Sequence, residues 1–535
     1  MASAQPHATG WRARAPKRPP MTLRRLSHSR LTSLLTGVLN HPSVCPKNVA
    51  TVGFLLRSYL PLGTLTTLLK DVTSAQDLTI NPEFAVNLLR LNLNADVSHV
   101  EMKGRGTEAN NLLERECETL MKEIEVMKEL RLESLLLEGL ALKPGLLSCI
   151  LRKAPLLRSL QLSGSLAEEA LDHLSHSPCE LHTLHLHSCT VTDEEIASAL
   201  LWPVRKLSNM ADVICSDEDF SKPGRVQASS LREVTVISPA LTVGGAMVLL
   251  RALPHLCCLH YTWLVPVCES LRILQQLCPS VTSYAISHID LSLVGGNVLE
   301  SVASLCPGLR SLHIEGCEPS VVNLDALADF TKLTSLTLRL VPEPFIVSAV
   351  KAVGHNLLKL RVEYEECVCK LFSFAALKVL QEHCRDLQSL ELISVCLSGE
   401  PRPRQRSKII APAFPELTHL VVEGAASSPD VLASLISRNR ALEHMTLAVN
   451  RDVLTDQVVS TLLSQNDLHC LATLHLGAGN LSPAALTTLL TLPSLSGLSL
   501  DLKRFPFIPE STFMALQDDL RSSNCLCRLD RSAVE

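Results

Sequence analysis

The sequence predicts an α/β fold: a leucine-rich-repeat solenoid (horseshoe) with a parallel concave sheet, outer helices and a helical N-terminal cap. Three observations lead there. The pattern Leu-x-x-Leu-x-Leu returns every 24 to 30 residues in fourteen copies, from Leu132/Leu135/Leu137 to Leu495/Leu498/Leu500. Segments of helical spacing lie between the copies. The composition is 46% apolar but only 3% aromatic, which suits a core made from one repeated residue shape. A fixed period in this range marks stacked supersecondary units.

Each unit reads as strand, turn, helix, turn. In Leu309-Arg-Ser-Leu312-His-Ile314, the apolar Leu312 and Ile314 alternate with His313, so a short strand buries one face. After the Leu181 copy, Thr192 with Glu195 forms a capping box, and Ile196, Leu200 and Leu201 share a helical face. Ser428-Pro429 and Ser482-Pro483 also read as helix starts. A single unit cannot bury its own leucines, whereas stacked units bury a continuous core and pair their strands in parallel. One buried Leu is worth roughly 1.5–3 kcal/mol, enough to hold the turns without metal or disulfide. Val281/Tyr284/Ile286 is read as one copy, and the gap of 50 residues between Leu181 and Leu231 predicts a worn turn near Leu207.

Residues 1–20 are rich in Ala, Pro and Arg and predict a disordered basic tail. Residues 21–131 predict a helical and irregular cap region. Within it Leu31, Leu34, Leu35 and Leu39 share a face. Ala75/Leu78/Ile80, Leu88/Leu91/Leu93 and Val97/Val100/Met102 read as short strand-like pieces. A charged helix follows from Asn110 to Arg131, with Leu112, Leu113, Leu120, Ile124 and Met127 on its buried side. The solenoid runs over 132–535 with a C-terminal cap and one insertion, the basic loop 398–408. Arg402, Arg404, Arg406 and Lys408 beside two prolines make that loop exposed and suited to an acidic partner.

Ten of the 49 Lys and Arg fall in residues 1–70, where there is no Asp or Glu; the remainder holds 39 basic against 54 acidic residues. An acidic solenoid with few aromatics is a poor nucleic-acid reader. The 19 cysteines lack zinc-ligand spacing and read as free thiols of a reducing compartment. Cys189 and Cys317, at the ninth position of their copies, are expected to pack inward. A cytoplasmic location is expected, with nuclear or mitochondrial as alternatives, because the Arg- and Ser-containing, acid-free start resembles a transit peptide. No run spans a membrane; Val52 to Leu69 is broken by Arg57 and Pro61.

No nucleophile elbow, phosphate loop, dinucleotide fingerprint or metalloprotease motif occurs, so neither catalysis nor a cofactor is expected. His182, His185 and His187 do not have metal-site spacing. Stacking the strands instead gives columns on the inner face. The third column is nearly all small, with Ser134, Ser159, Thr183, Ser283, Ser311, Ser335, Ser389 and Thr473. The fifth and seventh hold His185, His187, His260, His313, Glu315, Arg339, Arg361 and Glu363, the residues expected to bind a protein partner.

Cys306-Pro-Gly-Leu309-Arg-Ser-Leu312-His-Ile314-Glu-Gly-Cys317 resembles the cysteine-containing repeats of F-box proteins. Cys278-Pro279, Cys384, Thr192-Asp193 and Thr455-Asp456 carry the same resemblance, which covers about residues 132–500. It implies a coil that recognises substrates and an N-terminal element that recruits a ubiquitin-ligase adaptor. The F-box pattern itself is missing from residues 21–74.

Overall fold

The computed structural model describes residues 23–39, 46–61, 64–65, 67–69, 72, 82–94, 97–103, 114–140, 142–143, 145–174, 179–200, 230–253, 255–261, 267–277, 283–294, 298–317, 324–365, 370–398, 414–424, 429–436, 439–466, 468–522 and 528–531. Two compact units divide the chain, Met21–Ile289 and Asp290–Glu535.

Among the described residues the first unit opens with helices that include α1 (Leu23–Leu39), α2 (Pro46–Tyr59) and α3 (Pro82–Asn94). Strands β1 (His99–Lys103), β2 (Ser134–Glu138), β3 (Ser159–Ser163), β4 (Thr183–His187), β5 (Glu233–Val236) and β6 (Cys258–Tyr261) follow. Helices α4 (Glu114–Val126), α5 (Leu146–Lys153), α6 (Ser165–Leu174), α7 (Asp193–Ala199) and α8 (Val243–Ala252) connect them, and α9 (Val267–Leu277) comes after β6. Every strand pair is parallel, and the register sets like on like: Val100, Leu135, Leu160, Leu184, Val234 and Leu259 form one row across the sheet. All six are buried.

In the second unit the strands are β7 (His288–Val294, inside which the division falls), β8 (Ser311–Cys317), β9 (Ser335–Arg339), β10 (Lys359–Glu363), β12 (Ser389–Ile393), β14 (His419–Gly424), β15 (His444–Val449), β16 (Thr473–Leu476), β17 (Gly497–Leu500) and β18 (Arg528–Arg531). From β8 onward they pair in parallel in that order, so Leu312, Leu336, Leu360, Leu390, Leu420, Met445, Leu474, Leu498 and Leu529 make the corresponding row. A small second parallel sheet pairs β11 (Lys370–Ser373) with β13 (Val395–Ser398). Both units are therefore α/β leucine-rich-repeat solenoid, as the periodicity predicts.

Several details depart from the expectation. The Val281/Tyr284/Ile286 copy is displaced by five residues: Ile286, Ile289 and Leu291 are the buried triplet, and His288 pairs with Cys258. The shift is odd, so it reverses the alternation after Ile286, which takes the bend while Ile289 and Leu291 take the two buried strand positions. β4 pairs directly with β5, and the worn turn expected near Leu207 lies in residues 201–229, outside the described residues. Leu88, Leu91 and Leu93 sit in helix α3, not a strand. Their spacing is shared by both structures, but Phe84, Ala85, Leu88 and Leu89 add a buried helical face. The parallel ladder already begins at β1, ahead of Leu132. At the other end Leu529 docks beside Leu498 in a strand that the pattern misses, since Arg531 stands where a third leucine would be. Ala75/Leu78/Ile80 and the basic loop with Arg402, Arg404, Arg406 and Lys408 lie outside the described residues.

Two devices bind turn to turn. The eighth position of a repeat, at or just past the strand's end, takes left-handed backbone: Gly139, Gly164, Ser188, Gly316, Leu340 and Ser394 have φ between 49° and 63°. The N–H of Gly164 donates to the His187 carbonyl at 3.0 Å, and that of Leu340 to the Glu363 carbonyl at 2.9 Å. The second device is a carboxylate at the first helical position that accepts the N–H of the next helix's N-cap. Asp193 accepts from Thr242 at 2.9 Å. Glu343, in α10 (Glu343–Val353), accepts from Ser373 at 2.7 Å. Asp456, in α11 (Asp456–Gln465), accepts from Ser482 at 2.8 Å. The capping box is also present, with Thr192 N–H donating to Glu195 at 2.7 Å.

Asp193→Ala removes a charge-assisted bond from a buried site and is expected to cost about 1.5–3 kcal/mol in chemical denaturation. Ser188→Gly, at an exposed left-handed position, is expected to add about 0.5–1 kcal/mol in the same measurement.

Candidate functional site

The alternation of each strand sends its fourth and sixth positions into the core and its third, fifth and seventh to the opposite face. On the second unit that face holds a row of alternating charge. Glu315 accepts from Arg339 at 2.6 Å. The Arg339 Nε lies 3.6 Å from Glu363 Oε1. Arg361 donates to Glu363 at 2.6 and 2.8 Å and to Glu391 at 2.7 Å. The order across β8, β9, β10 and β12 is thus Glu315, Arg339, Glu363, Arg361, Glu391. Burial opposes the charge on Arg361, but the bonds and charges of Glu363 and Glu391 outweigh it and raise its pKa. His313 reaches Asp290 at 3.4 Å at the start of the row.

The register places four of the expected residues together, Glu315, Arg339, Arg361 and Glu363, with His313 on the same strand as Glu315. Glu391, at the fifth position of β12, joins them although it is not among the residues expected to bind. Asp290 is not among them either, because the displaced β7 register puts a different residue in the fifth column. The third column is also less bland than expected: Ser283 is off the strand, and Lys359, His419 and His444 occupy the position. His419 and His444 rings lie 5.8 Å apart, and His444 Nδ1 meets Thr473 Oγ1 at 2.6 Å.

The first unit carries His185, His187 and His260. The His185 and His187 rings meet edge to face at 6.1 Å. His185 aligns with Thr235, which aligns with His260. Burial, then the neighbouring His187, lowers the His185 pKa; His260 adds to this while Glu233 and Glu138 oppose it. Gln161 donates to Glu138 at 2.6 Å beside them.

Among the described residues no group of three or more His, Cys, Asp or Glu could hold a metal ion, and no helix is long and apolar enough to cross a membrane. Cys306 and Cys384 are buried near helix ends, and burial pushes their thiols up to about 12, so they act as packing residues. Cys189 points inward and reaches the Ile237 carbonyl at 3.7 Å; the side chain of Cys317 lies outside the described residues. Cys396 corrects the expectation of free thiols throughout, being disulfide-bonded where β13 joins the small second sheet.

No family model matches the chain. No curated protein matches it either. Among solved structures it is similar to a chain of "Crystal structure of Rad7 and Elc1 complex in yeast", with a TM-score of 0.43 and 14% identity, covering 87% of this chain and 96% of that one. It is also similar to "Crystal structure of TLR13-ssRNA13 complex", with a TM-score of 0.41 and 15% identity, covering 83% of this chain and 57% of that one. Both are likenesses of fold.

The lowered His185 pKa carries a sign. The unfolded chain binds this proton more readily, so its contribution is complete above the ordinary value near 6.5 and is lost as pH falls below it. Thermal melts between pH 7.5 and 5 are expected to show a loss of stability that His185→Gln makes shallower; an unchanged slope contradicts the assignment.

Proposed function

We propose that the chain is a non-enzymatic protein-interaction scaffold, and that it works as the substrate-recognition subunit of a ubiquitin ligase complex. The observation behind this reading is the alternating row from Glu315 to Glu391. Each arginine is held between two glutamates on a partly exposed face, with Arg361 keeping 41% of its side chain accessible. Exposed pairs of this kind are worth about 0–1 kcal/mol each, so a partner's own charges can be exchanged into the row at small cost. The order of signs then selects the partner. An excess of carboxylates over arginines in the row favours a protein segment with basic side chains over a polyanion.

The ligase role is supported by the resemblance to the cysteine-containing repeats of F-box proteins and by the helices α1 to α3, which precede the first strand. One region would grip the substrate and the other the adaptor. A cytoplasmic setting goes with this role and with cysteines outside disulfides such as Cys306 and Cys384, set against the disulfide-bonded Cys396.

Proximity labelling with the tagged full chain tests both parts. The His313→Ala, Arg339→Ala, Arg361→Ala variant is expected to lose a defined set of partners while remaining folded, its stability in chemical denaturation falling by no more than a few kcal/mol (about 0–1 for each pair removed). An unchanged set contradicts the proposed face. Cullin and adaptor are expected with both proteins, and their absence from both overturns the ligase role.

A further inference from the structure

Past Glu391 the charged row stops and the same face changes character. At their fifth and seventh positions β12, β14 and β15 present Ile393, Val421 and Ala448, all half-buried. Val421 stands in register between Glu391 and Thr446, and Ala448 is in register with Glu423. Side chains at the seventh position shrink across the sheet, from Glu423 to Ala448 to Gly477 just beyond β16. Nothing larger fits at the last of these, because a Cβ on Gly477 would stand 2.7 Å from that of Ala448. The result is a small apolar shelf within a polar face. Such a place, dry at its centre and ringed by polar groups, is where a partner's anchoring side chain contributes most.

The two rims of the shelf differ in sign. Glu423 borders it at the strand exits and forms no ion pair among the described residues. The opposite rim is the third column, where Lys359, Ser389, His419 and His444 follow one another in register without a carboxylate. Lys359 and His444 are exposed. His444 meets Thr473 through Nδ1, which leaves Nε2 for a partner. The third and seventh positions lie about 13 Å apart along a strand, close to the width of one α-helix at about 10–12 Å. We propose that the shelf anchors one helix of another protein, lying across β12 to β15. An aliphatic side chain of that helix sits on Val421 and Ala448, a Lys or Arg reaches Glu423, and an Asp or Glu reaches Lys359 and His444. This rests on the scaffold reading and adds to it where the partner is held and which way it runs. In the opposite direction the same helix would set like charges against both rims.

The test uses the full-length chain in cells with a photo-crosslinking side chain at position 446 or 475, adjacent rungs of the fifth column. The cross-linked peptide is sequenced, synthesised and titrated against the purified chain. The expected peptide is helical when bound, with an aliphatic residue between a basic and an acidic flank. Glu423→Lys should weaken it about ten-fold or more, and a peptide whose basic residue is changed to Glu should recover the loss. Lys359→Glu with His444→Glu should weaken it as well, answered by Lys in place of the peptide's acidic residue. Reciprocal rescue requires contact and is not given by a variant that has lost its fold. If the triple variant in the charged row loses partners while Glu423→Lys binds unchanged, the anchor fails and the scaffold reading stands; if neither changes binding, both fail. Cross-links only to lipid, only to a second copy of this chain, to a peptide lacking either charged flank, or to nothing overturn the proposal, as does weakening without rescue.

Discussion

Every strand of this chain depends on one constraint: an isolated repeat has two or three leucines and nowhere to put them. The neighbour supplies the place. Leu160 is covered because Leu135 and Leu184 stand beside it in register, and the same holds for Leu336 between Leu312 and Leu360. A slip of one residue would turn the leucines outward and the polar column inward, so burial and register are a single requirement. Truncating one such leucine costs about 2–5 kcal/mol, and in a stack that loss falls on both adjoining turns.

Polar chemistry completes the stack where leucine cannot. Helix N-termini leave N–H groups without partners. The carboxylates of Asp193, Glu343 and Asp456 answer this one repeat away, each taking the N-cap N–H of the following helix. The Thr-Asp pairs therefore have two tasks. The threonine caps its own helix, and the aspartate caps the next one. Buried Asn439 and Asn466 act similarly in the C-terminal turns, where Asn439 bonds the Leu435 carbonyl and the Phe414 N–H. Asn466 reaches the carbonyls of Ile436 and Asn439.

The fold was legible because the repeated signal averages over many turns, and it failed where a turn stood alone. Tyr284 and Ile286 satisfy the spacing as well as Ile289 and Leu291 do, and burial together with the pairing of His288 with Cys258 separates them. The turn expected near Leu207 lies outside the described residues, while the sheet itself runs directly from β4 to β5. In α3 the ambiguity was between periods. Leu88, Leu91 and Leu93 fit a strand, and the deciding observation is a tertiary one, the wholly buried Arg90 held by Glu123 at 2.9 Å and Asn87 at 2.8 Å. The candidate face was readable column by column, because strand alternation fixes which residues face out. Which charges join was not, since Arg361 bonds both its own strand's Glu363 and the Glu391 of the next.

That last point governs what the face can do. A row in which each arginine lies between two carboxylates has no strong field of its own beyond its surplus acid. Its usefulness is combinatorial. Thr337 at the fifth position of β9 and Arg361 at that of β10 are adjacent rungs, so a substitution at one rung changes the sign pattern without touching the leucine row beneath. The core row holds only apolar side chains, with Val100, Val234 and Met445 among the leucines, while the outer columns vary in charge and size on the same strands, one residue apart. A fold with that separation evolves new partners by editing every second residue, and the strength of its frame is what leaves those residues free to change.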